Sequence, residues 1–175
     1  MWKILGIVIV LLIVVILGLA ATKPDTFRVE RSTLIQAPAD RVYAQLEDFH
    51  RWSAWSPWEK LDPALKRTYS GAENGVGAVY AWEGNSKVGQ GRMEIREAVP
   101  ASKVEIQLDF LKPFEAHNTA DFTLAPQGDS TQVTWAMTGP NNFLGKVMSV
   151  FVSMDSMVGK DFETGLANLK AAAEK

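Results

Sequence analysis

The sequence predicts an α+β protein in which a seven-stranded antiparallel sheet wraps around a long C-terminal helix, preceded by an N-terminal transmembrane helix. Three patterns support this fold class. The first 21 residues are almost wholly apolar, runs of about six to ten residues alternate apolar and polar side chains between 66 and 138, and a helical apolar stripe begins at 144. Alternation gives a sheet one apolar face and the stripe gives a helix one apolar side, so each buries the other.

The apolar N-terminal segment predicts an uncleaved membrane anchor at residues 1–21. Residues 4–21 carry no polar side chain, and at about 1.5 Å per residue they form roughly 27 Å of helix, which nearly spans a bilayer. The alternative is a cleaved signal peptide, because Lys3 gives a basic start and Gly18-Leu19-Ala20 resembles a cleavage site. The length of the apolar core exceeds the usual ~7–15 residues of a signal peptide, which favours the anchor.

The charges beside this segment do not decide which side of the membrane the domain occupies. Lys23, Arg28 and Arg31 lie after the segment and only Lys3 precedes it, and an excess of basic residues marks the cytoplasmic side. A very short head is nevertheless common in anchors that export the domain behind them, which favours the periplasm slightly. Residues 22–26 are a short linker, and residues 27–175 form the folded domain.

Composition excludes several classes of function. The chain has 175 residues, of which 47% are hydrophobic and 22% charged, and a net charge of -2, so no basic surface for a nucleic-acid backbone is expected. It has no cysteine and two histidines, which removes thiol chemistry, iron–sulfur clusters and cysteine-based zinc sites. We therefore expect no cofactor, no metal and no nucleic-acid partner.

The predicted elements succeed one another from the linker onward. Residues 27–36 are rich in β-formers and end at Ala37-Pro38, and residues 39–46 have helical spacing. The aromatic stretch 49–58 predicts a second short helix that ends before Pro57. Six further strands are predicted at 66–70, 77–83, 88–99, 103–111, 115–124 and 132–138, separated by turns rich in glycine, proline and asparagine.

The C-terminal part predicts one long amphipathic helix. Asn142 is a suitable N-cap, and the positions 144, 148, 151, 155, 158, 162, 166 and 169 form one stripe with steps of three and four residues. Gly159 and Gly165 in this helix each cost about 1 kcal/mol relative to alanine. They indicate either a close approach of the helix to the sheet or space for a ligand.

Four segments resemble one known superfamily. They are V-E-R-S-T-L-I-Q-A-P-A-D-R-V-Y at 29–43, W-S-P-W at 55–58, N-N-F-L-G-K at 141–146 and M-V-G-K-D-F-E-T-G-L at 157–166. They resemble the START-related superfamily that includes the polyketide cyclase/dehydrases (SRPBCC), specifically its short bacterial members with an N-terminal anchor. The resemblance implies the helix-grip fold over residues 27–175, with a deep apolar cavity. Members include lipid and hormone carriers, aromatase/cyclases and co-chaperones, so fold does not settle function.

Asp155 is the candidate acid or base. The stripe places this carboxylate between Phe151 and Val158 on the helix face that is predicted to be buried. Burying a carboxylate alone is costly, so it requires a partner, water or a proton. It would then bind the polar end of a ligand or transfer protons in a cyclisation or dehydration. The alternative is structural, with an arginine partner or a position at the edge of the helix face.

The other candidate ligand-binding side chains are mostly aromatic or amide groups. Tyr80 and Trp82 share one face of their strand, and Val79 and Ala81 share the other, so the period alone does not say which pair points inward. We expect Tyr80 and Trp82 to line the cavity. Trp52, Trp55 and Trp58 either gate an apolar cavity or plug the end of the sheet, and Trp55 is the one expected to face a ligand. Asn118 falls on an inward strand position, where its amide needs a partner in the protein or in a ligand. The complete predicted set is Trp55, Tyr80, Trp82, Asn118, Trp135, Phe151, Asp155 and Val158.

These patterns predict a membrane-tethered binding or carrier domain for a hydrophobic small molecule or lipid, held between the sheet and the C-terminal helix. Two alternatives stay open. One is a cyclase/dehydrase-type lyase or isomerase that uses Asp155 as acid and base. The other is a protein-interaction module, as in the co-chaperone relatives, with a filled interior and an exposed apolar patch. A cavity separates the last hypothesis from the first two, and the surroundings of Asp155 separate an enzyme from a carrier.

Overall fold

The computed structural model describes residues 2–175. Its elements confirm the seven predicted strands and the helix after the first of them. In chain order they are α1 (Trp2–Ala21), β1 (Thr26–Ile35), α2 (Ala39–Leu46), two 3-10 helices (Phe49–Ala54 and Pro57–Lys60), β2 (Lys66–Gly71), β3 (Ala78–Glu83), β4 (Gln90–Val99), β5 (Lys103–Lys112), β6 (Ala116–Gln127), β7 (Ser130–Pro140), α3 (Phe143–Met148) and α4 (Met154–Ala173).

All seven strands form one antiparallel sheet in the order β1-β7-β6-β5-β4-β3-β2. Strands β2 to β7 form a meander, and β1 pairs with β7 from Thr26 opposite Pro140 to Ile35 opposite Thr131. We call the end of the sheet at which β1 begins and β7 ends the α1 end of the sheet. The β3–β4 loop and the β5–β6 turn lie at this same end, because neighbouring antiparallel strands run in opposite directions.

The period-two pattern of the strands correctly identifies the inner face of the sheet. Val104 and Ile106 on β5, Phe122 on β6, and Val133 and Trp135 on β7 are buried, and the residues that precede each of them are more exposed. Side chains that alternate along a strand point to opposite faces, so these residues share the face that α4 approaches.

The predicted long C-terminal helix is confirmed as α4, but the prediction that it runs unbroken from Asn142 is wrong, because the chain leaves helical geometry between α3 and α4. Asn142 caps α3 as expected, and its side chain accepts a hydrogen bond from Gly145 N. Ser153 caps α4 in the same way by accepting from Ser156 N, and a serine in this role favours a new helix start. The apolar stripe therefore belongs to two helices, and its members at 144, 148 and 151 are exposed rather than packed on the sheet.

Helix α4 packs mainly against β1, at one edge of the sheet. The Arg31 guanidinium of β1 pairs with two carboxylates of α4, Asp155 at 2.7 Å and Glu163 at 2.8 Å. Near the other end of the helix, Lys170 Nζ donates to the carbonyl oxygen of Leu34 at 2.8 Å. These contacts hold the helix along the strand from its first turn to its last.

The two glycines of α4 lie where the helix approaches its neighbours, as one of the two sequence interpretations predicts. A Cβ on Gly165 would lie 2.7 Å from Cζ3 of Trp135 and 3.2 Å from Cδ of Pro57. A Cβ on Gly159 would meet the guanidinium of Arg31. Gly165 therefore faces rigid core atoms, whereas Gly159 faces the end of a flexible side chain.

Replacing Gly165 with alanine is expected to lower the free energy of unfolding by about 1–3 kcal/mol, because overpacking strains a filled core. The matched control is Gly159→Ala in the same helix. There the Arg31 guanidinium can move aside, and alanine gains about 1 kcal/mol of helix propensity, so the net change is expected to be small. Chemical denaturation measures both variants, and a larger loss for Gly159→Ala would contradict this packing.

Candidate ligand cavity

A cavity of about 230 Å³ lies between the inner face of the sheet, the first half of α4 and the 3-10 helices. It lies to the side of α4, which packs mainly along β1, whereas β3 and β5 are contacted by the first 3-10 helix and by α2. Its walls are mostly aromatic and aliphatic. The sheet contributes Tyr80, Trp82, Met93, Leu108, Phe110, Ala120, Trp135 and Met137, and the helices contribute Trp52, Trp58, Val158 and Phe162.

Few polar side chains reach the wall of this cavity. Ser56 is buried there, and its hydroxyl makes no capping hydrogen bond to the 3-10 helix that it precedes. Lys87 on the β3–β4 loop also lines the cavity and is exposed to solvent. The cavity therefore opens beside this loop, with a positive charge at its mouth and a hydroxyl inside.

A buried carboxylate that the sequence analysis missed lies behind the wall. The side chain of Glu59 is 7% exposed and accepts from Arg67 Nε at 2.6 Å. Tyr80 Oη donates to the other carboxylate oxygen at 2.5 Å. Burial, together with this hydrogen bond to Glu59, raises the pKa of Tyr80 above its usual value. Tyr80 therefore presents its ring to the cavity and directs its proton to Glu59.

The signal for Glu59 in the sequence is weak. Glu59 comes directly after the aromatic W-S-P-W segment. An acidic side chain next to an aromatic stretch indicates burial with a partner. Its partners lie on β2 and β3, and Arg67 and Tyr80 are brought together only by the pairing of these strands. Sequence spacing alone does not identify them.

Trp135 carries the one buried side-chain nitrogen or oxygen that lacks a hydrogen-bond partner among residues 2–175, its indole Nε1. Leaving a buried donor unsatisfied costs about 1–3 kcal/mol. The ring is held by stacking, with its centroid 4.1 Å from that of Phe162 and 4.9 Å from that of Phe122. The wall of the cavity is therefore rigid at this point and contains a donor that the protein does not satisfy.

Carboxylates and imidazoles are not grouped for metal binding in the part of the chain that the structure describes. Within residues 2–175, no cluster of three or more such side chains has the geometry of a metal site. The chemistry available at the cavity is therefore mainly apolar contact, with Ser56 and Lys87 as the polar side chains of the wall.

The family model for polyketide cyclase / dehydrase and lipid transport proteins matches residues 26–174. The chain belongs to this family. The match covers the sheet, the cavity and both C-terminal helices, and it leaves out only α1 and the residues immediately after it. No curated protein sequence matches the chain.

Solved structures share the fold of this family member. A protein of Chromobacterium violaceum aligns with a TM-score of 0.59 at 17% identity, over 87% of this chain and 99% of its own. The di-domain ARO/CYC protein BexL from the BE-7585A biosynthetic pathway aligns with a TM-score of 0.64 at 17% identity, over 90% of this chain and 53% of its own. The Aha1 dimer from Colwellia psychrerythraea aligns with a TM-score of 0.56 at 19% identity, over 85% and 96%.

Four of the predicted site residues line the cavity of this polyketide cyclase/dehydrase family member. They are Tyr80, Trp82, Trp135 and Val158. The indole Nε1 of Trp82 donates to the carbonyl oxygen of Val88 at 3.0 Å, which ties the ring to the β3–β4 loop at the cavity mouth. The strand period identifies Trp135 as inward-facing and the helical stripe identifies Val158, whereas for Tyr80 and Trp82 the period left two faces open and the structure turns their face inward.

The expectation that Trp55 faces a ligand is wrong. Trp55 is fully buried, its Nε1 donates to the carbonyl oxygen of Gln45 at 3.2 Å, and its ring packs edge-on against Trp135. It plugs the interior, as the alternative interpretation held, and its neighbours Trp52 and Trp58 line the cavity instead. The tryptophan spacing did not show which ring points to the space, because Trp55 lies at the break between the two 3-10 helices that carry Trp52 and Trp58.

Asn118 is buried on the inner face as predicted but does not contribute to the cavity wall. Its side-chain oxygen lies over the backbone of Gly139 on β7, where a Cβ would clash with it. The amide therefore occupies space that the neighbouring glycine leaves open. An inward strand position fixed the direction of this side chain but not what it meets.

Asp155 and Phe151 lie outside the cavity, contrary to prediction. Phe151 is 66% exposed in the connection between α3 and α4. Asp155 lies in the first turn of α4, where both of its carboxylate oxygens accept from Arg31, at 2.7 and 3.1 Å. This hydrogen-bonded pair lowers the pKa of Asp155 below its usual value. The structural alternative of an arginine partner is therefore correct, because the helix break turns this residue toward β1.

Replacing Asp155 with asparagine is expected to weaken the contact between α4 and β1 at neutral pH and to leave the cavity unchanged. Because the pKa of the paired Asp155 lies below its ordinary value of 3.8, its contribution to stability is present above about pH 3.8 and is lost as the pH falls through the lowered pKa. Melting temperatures of the two proteins should therefore differ at pH 7 and converge below pH 3.8. An equal difference at both pH values would contradict the ion pair.

Proposed function

We propose that the protein is a membrane-tethered binding or carrier domain for an apolar small molecule or lipid. The observation that carries the proposal is the cavity of about 230 Å³, with its mostly apolar walls. The family to which the chain belongs includes lipid transport in its description. Membership in this family supports ligand binding in general, and the nature of the ligand is inferred from the walls.

The size of the cavity supports a small ligand in this proposal. Typical small-molecule sites measure about 300–1,000 Å³, whereas an engineered apolar cavity of about 150 Å³ is already large enough for benzene. The cavity here lies between these values. It fits a single alkyl chain or a compact ring system rather than a whole two-chain lipid.

The positions of the polar groups suggest how such a ligand is oriented. Among the lining residues Lys87 is exposed to solvent and Ser56 is buried. A ligand with an apolar body and one polar or acidic end would place its body among the rings and its polar end beside Lys87. Four tryptophans line the cavity, Trp52, Trp58, Trp82 and Trp135, so their fluorescence is expected to report binding.

The alternative of an acid/base enzyme lacks its predicted catalytic group. Asp155 is ion-paired outside the cavity. Tyr80 borders the cavity, but its hydroxyl donates to Glu59, and burial and that carboxylate raise the pKa of Tyr80. An efficient acid or base has a pKa near the working pH, so neither residue supports proton transfer to a bound substrate. The alternative of a protein-interaction module with a filled interior is disfavoured by the cavity itself.

The tether in this proposal is α1. It is the one helix within residues 2–175 that is long and apolar enough to cross a membrane. Its 20 residues correspond to about 30 Å of helix, the thickness of a bilayer core. A ligand that dissolves in lipid is collected most easily by a protein beside the membrane. We retain the uncleaved anchor, with the domain facing the periplasm.

Filling the cavity is expected to abolish ligand binding. Ala120→Leu replaces a methyl group of the wall with an isobutyl group and should weaken the binding of the neutral fluorescent probe N-phenyl-1-naphthylamine by at least about tenfold, equivalent to roughly 1.4 kcal/mol. The matched control is Ala125→Leu, because Ala125 is exposed on the same strand. Fluorescence titration of the full chain in lipid nanodiscs measures both variants. If the two variants bind the probe with equal affinity, the cavity is not the binding site.

Native mass spectrometry of the full chain released from nanodiscs is expected to show a co-purifying mass of lipid or apolar-metabolite size. The mass should be absent from the Ala120→Leu variant and present in the Ala125→Leu variant, because only the first fills the cavity. A ligand-free spectrum of the wild-type protein, after exposure to several lipid extracts, would argue against carriage.

Residues 1–21 are expected to remain in the mature protein and to hold it in the membrane. N-terminal sequencing should begin at the first residues of the chain, and the protein should stay with the membrane pellet after extraction with alkaline carbonate. A mature N-terminus near Ala21 would instead identify a signal peptide.

A further inference from the structure

A second apolar feature lies outside the cavity, on α3 and its connection to α4. Six large apolar side chains within residues 143–157 are between 47% and 67% exposed, and we call them the α3 patch. Single exposed apolar residues need no explanation, but a group of them marks a surface that binds another apolar body. The members are Phe143, Leu144, Met148, Phe151, Val152 and Met157.

The junction between α1 and α3 fixes the position of the α3 patch relative to the N-terminal helix. Helix α3 packs against α1, and Ala20 in the last turn of α1 is fully buried while nearly all earlier residues of that helix are exposed. Asn141 fixes the junction, because its backbone N–H donates to the carbonyl oxygen of Asp25 at 2.7 Å and its side chain donates to that of Pro24 at 3.1 Å. Lys146 of α3 adds an ion pair with Asp25.

This contact fixes the depth of the patch relative to a bilayer. A helix of about 30 Å that crosses the hydrocarbon core ends at the membrane surface. The last turn of α1 is the part that meets α3, so α3 lies at that surface. Short apolar helices at this depth bury their apolar side chains among the lipid headgroups and the upper acyl chains.

We propose that the α3 patch inserts into the surface of the same bilayer that α1 crosses and holds the mouth of the cavity against the lipid. This inference rests on the proposed function, because it takes α1 as the anchor and the cavity as the ligand site. The occupant is lipid rather than a partner protein because the patch is continuous with the helix that enters the bilayer.

The cavity mouth lies beside this surface. Val158, which lines the cavity, comes directly after Met157 of the patch. On the opposite wall, Lys87 and Val88 of the β3–β4 loop also line the cavity, and this loop lies at the α1 end of the sheet. A molecule that leaves the bilayer beside α3 would therefore reach the cavity without crossing much water.

The β5–β6 turn supplies a second apolar projection at the same end of the sheet. Phe114 on this turn is 80% exposed and Leu111 is 50% exposed. The β3–β4 loop contacts this turn, since a Cβ on Gly89 would clash with the carbonyl oxygen of Lys112. The mouth is thus flanked by exposed apolar side chains on the α3 side and on the β5–β6 side.

Site-specific labelling tests the inference, because the chain contains no cysteine. Leu144→Cys and Val152→Cys place a polarity-sensitive NBD fluorophore on the α3 patch, and Val76→Cys serves as the matched control. Val76 is 59% exposed but lies on the β2–β3 turn, at the opposite end of the sheet. The full-length variants are reconstituted into phosphatidylcholine vesicles that contain no other protein.

The expected result is a blue-shifted emission and a loss of fluorescence with doxyl-labelled lipid at 144 and 152, with neither effect at 76. Each variant must also retain binding of N-phenyl-1-naphthylamine, which shows that the domain is folded. If α1 resists carbonate extraction and the patch labels behave like the label at 76, the inference fails while the proposed tether stands. If carbonate extracts the protein from the membrane, both the inference and the proposed tether fail.

A partner protein on the patch would give a different pattern. The labels at 144 and 152 would then remain in water in protein-free vesicles and become shielded only when membrane proteins are added. That result would overturn insertion into lipid.

Discussion

The stack of Trp135 against Phe122 of the sheet and Phe162 of α4 fixes the interior of the domain. The centroid of the Trp135 ring lies 4.9 Å from that of Phe122 and 4.1 Å from that of Phe162. Gly165 has no side chain, and this allows α4 to approach the indole. Because the stack lies on the β7 side of the sheet and α4 runs along β1, β3 and β5 are contacted by the first 3-10 helix and α2 rather than mainly by α4. The cavity lies beside the contact that forms the core.

Charged groups near the interior are satisfied in pairs that point away from the cavity. Arg31 joins Asp155 and Glu163 at the edge of α4, and Arg67 and Tyr80 satisfy Glu59 behind the wall. Separating a buried carboxylate from its partners is costly, so Glu59 is not available to a ligand. The rest of the wall is apolar surface with isolated donors, which is suited to holding a ligand by its shape and apolar character rather than by charge.

The two apolar features of the domain lie at the same end of the sheet. The cavity opens beside the β3–β4 loop, and the exposed side chains of α3 lie next to the last turn of α1. The hydrogen bonds from Asn141 to the linker keep these parts together. A single junction between linker and α3 thus relates the orientation of the cavity to the direction of the N-terminal helix.

The sequence by itself determined the strands, the order of elements, the inward direction of Trp135 and the shared face of Tyr80 and Trp82, because a period of two fixes which side chains share a face of a sheet. The period did not say whether Tyr80 and Trp82 or Val79 and Ala81 point inward, and packing decided this. The sequence also did not determine what each inward side chain meets. Asn118 covers a glycine, Trp55 fills the core, and Glu59 finds partners on two strands distant in sequence. The helical stripe from 144 to 169 is continuous in the sequence, but the Ser153 cap divides it, leaving Phe151 exposed and Asp155 paired with Arg31. Periodicity records direction within one element, whereas burial, pairing and empty space depend on the distance between elements, which only tertiary packing sets.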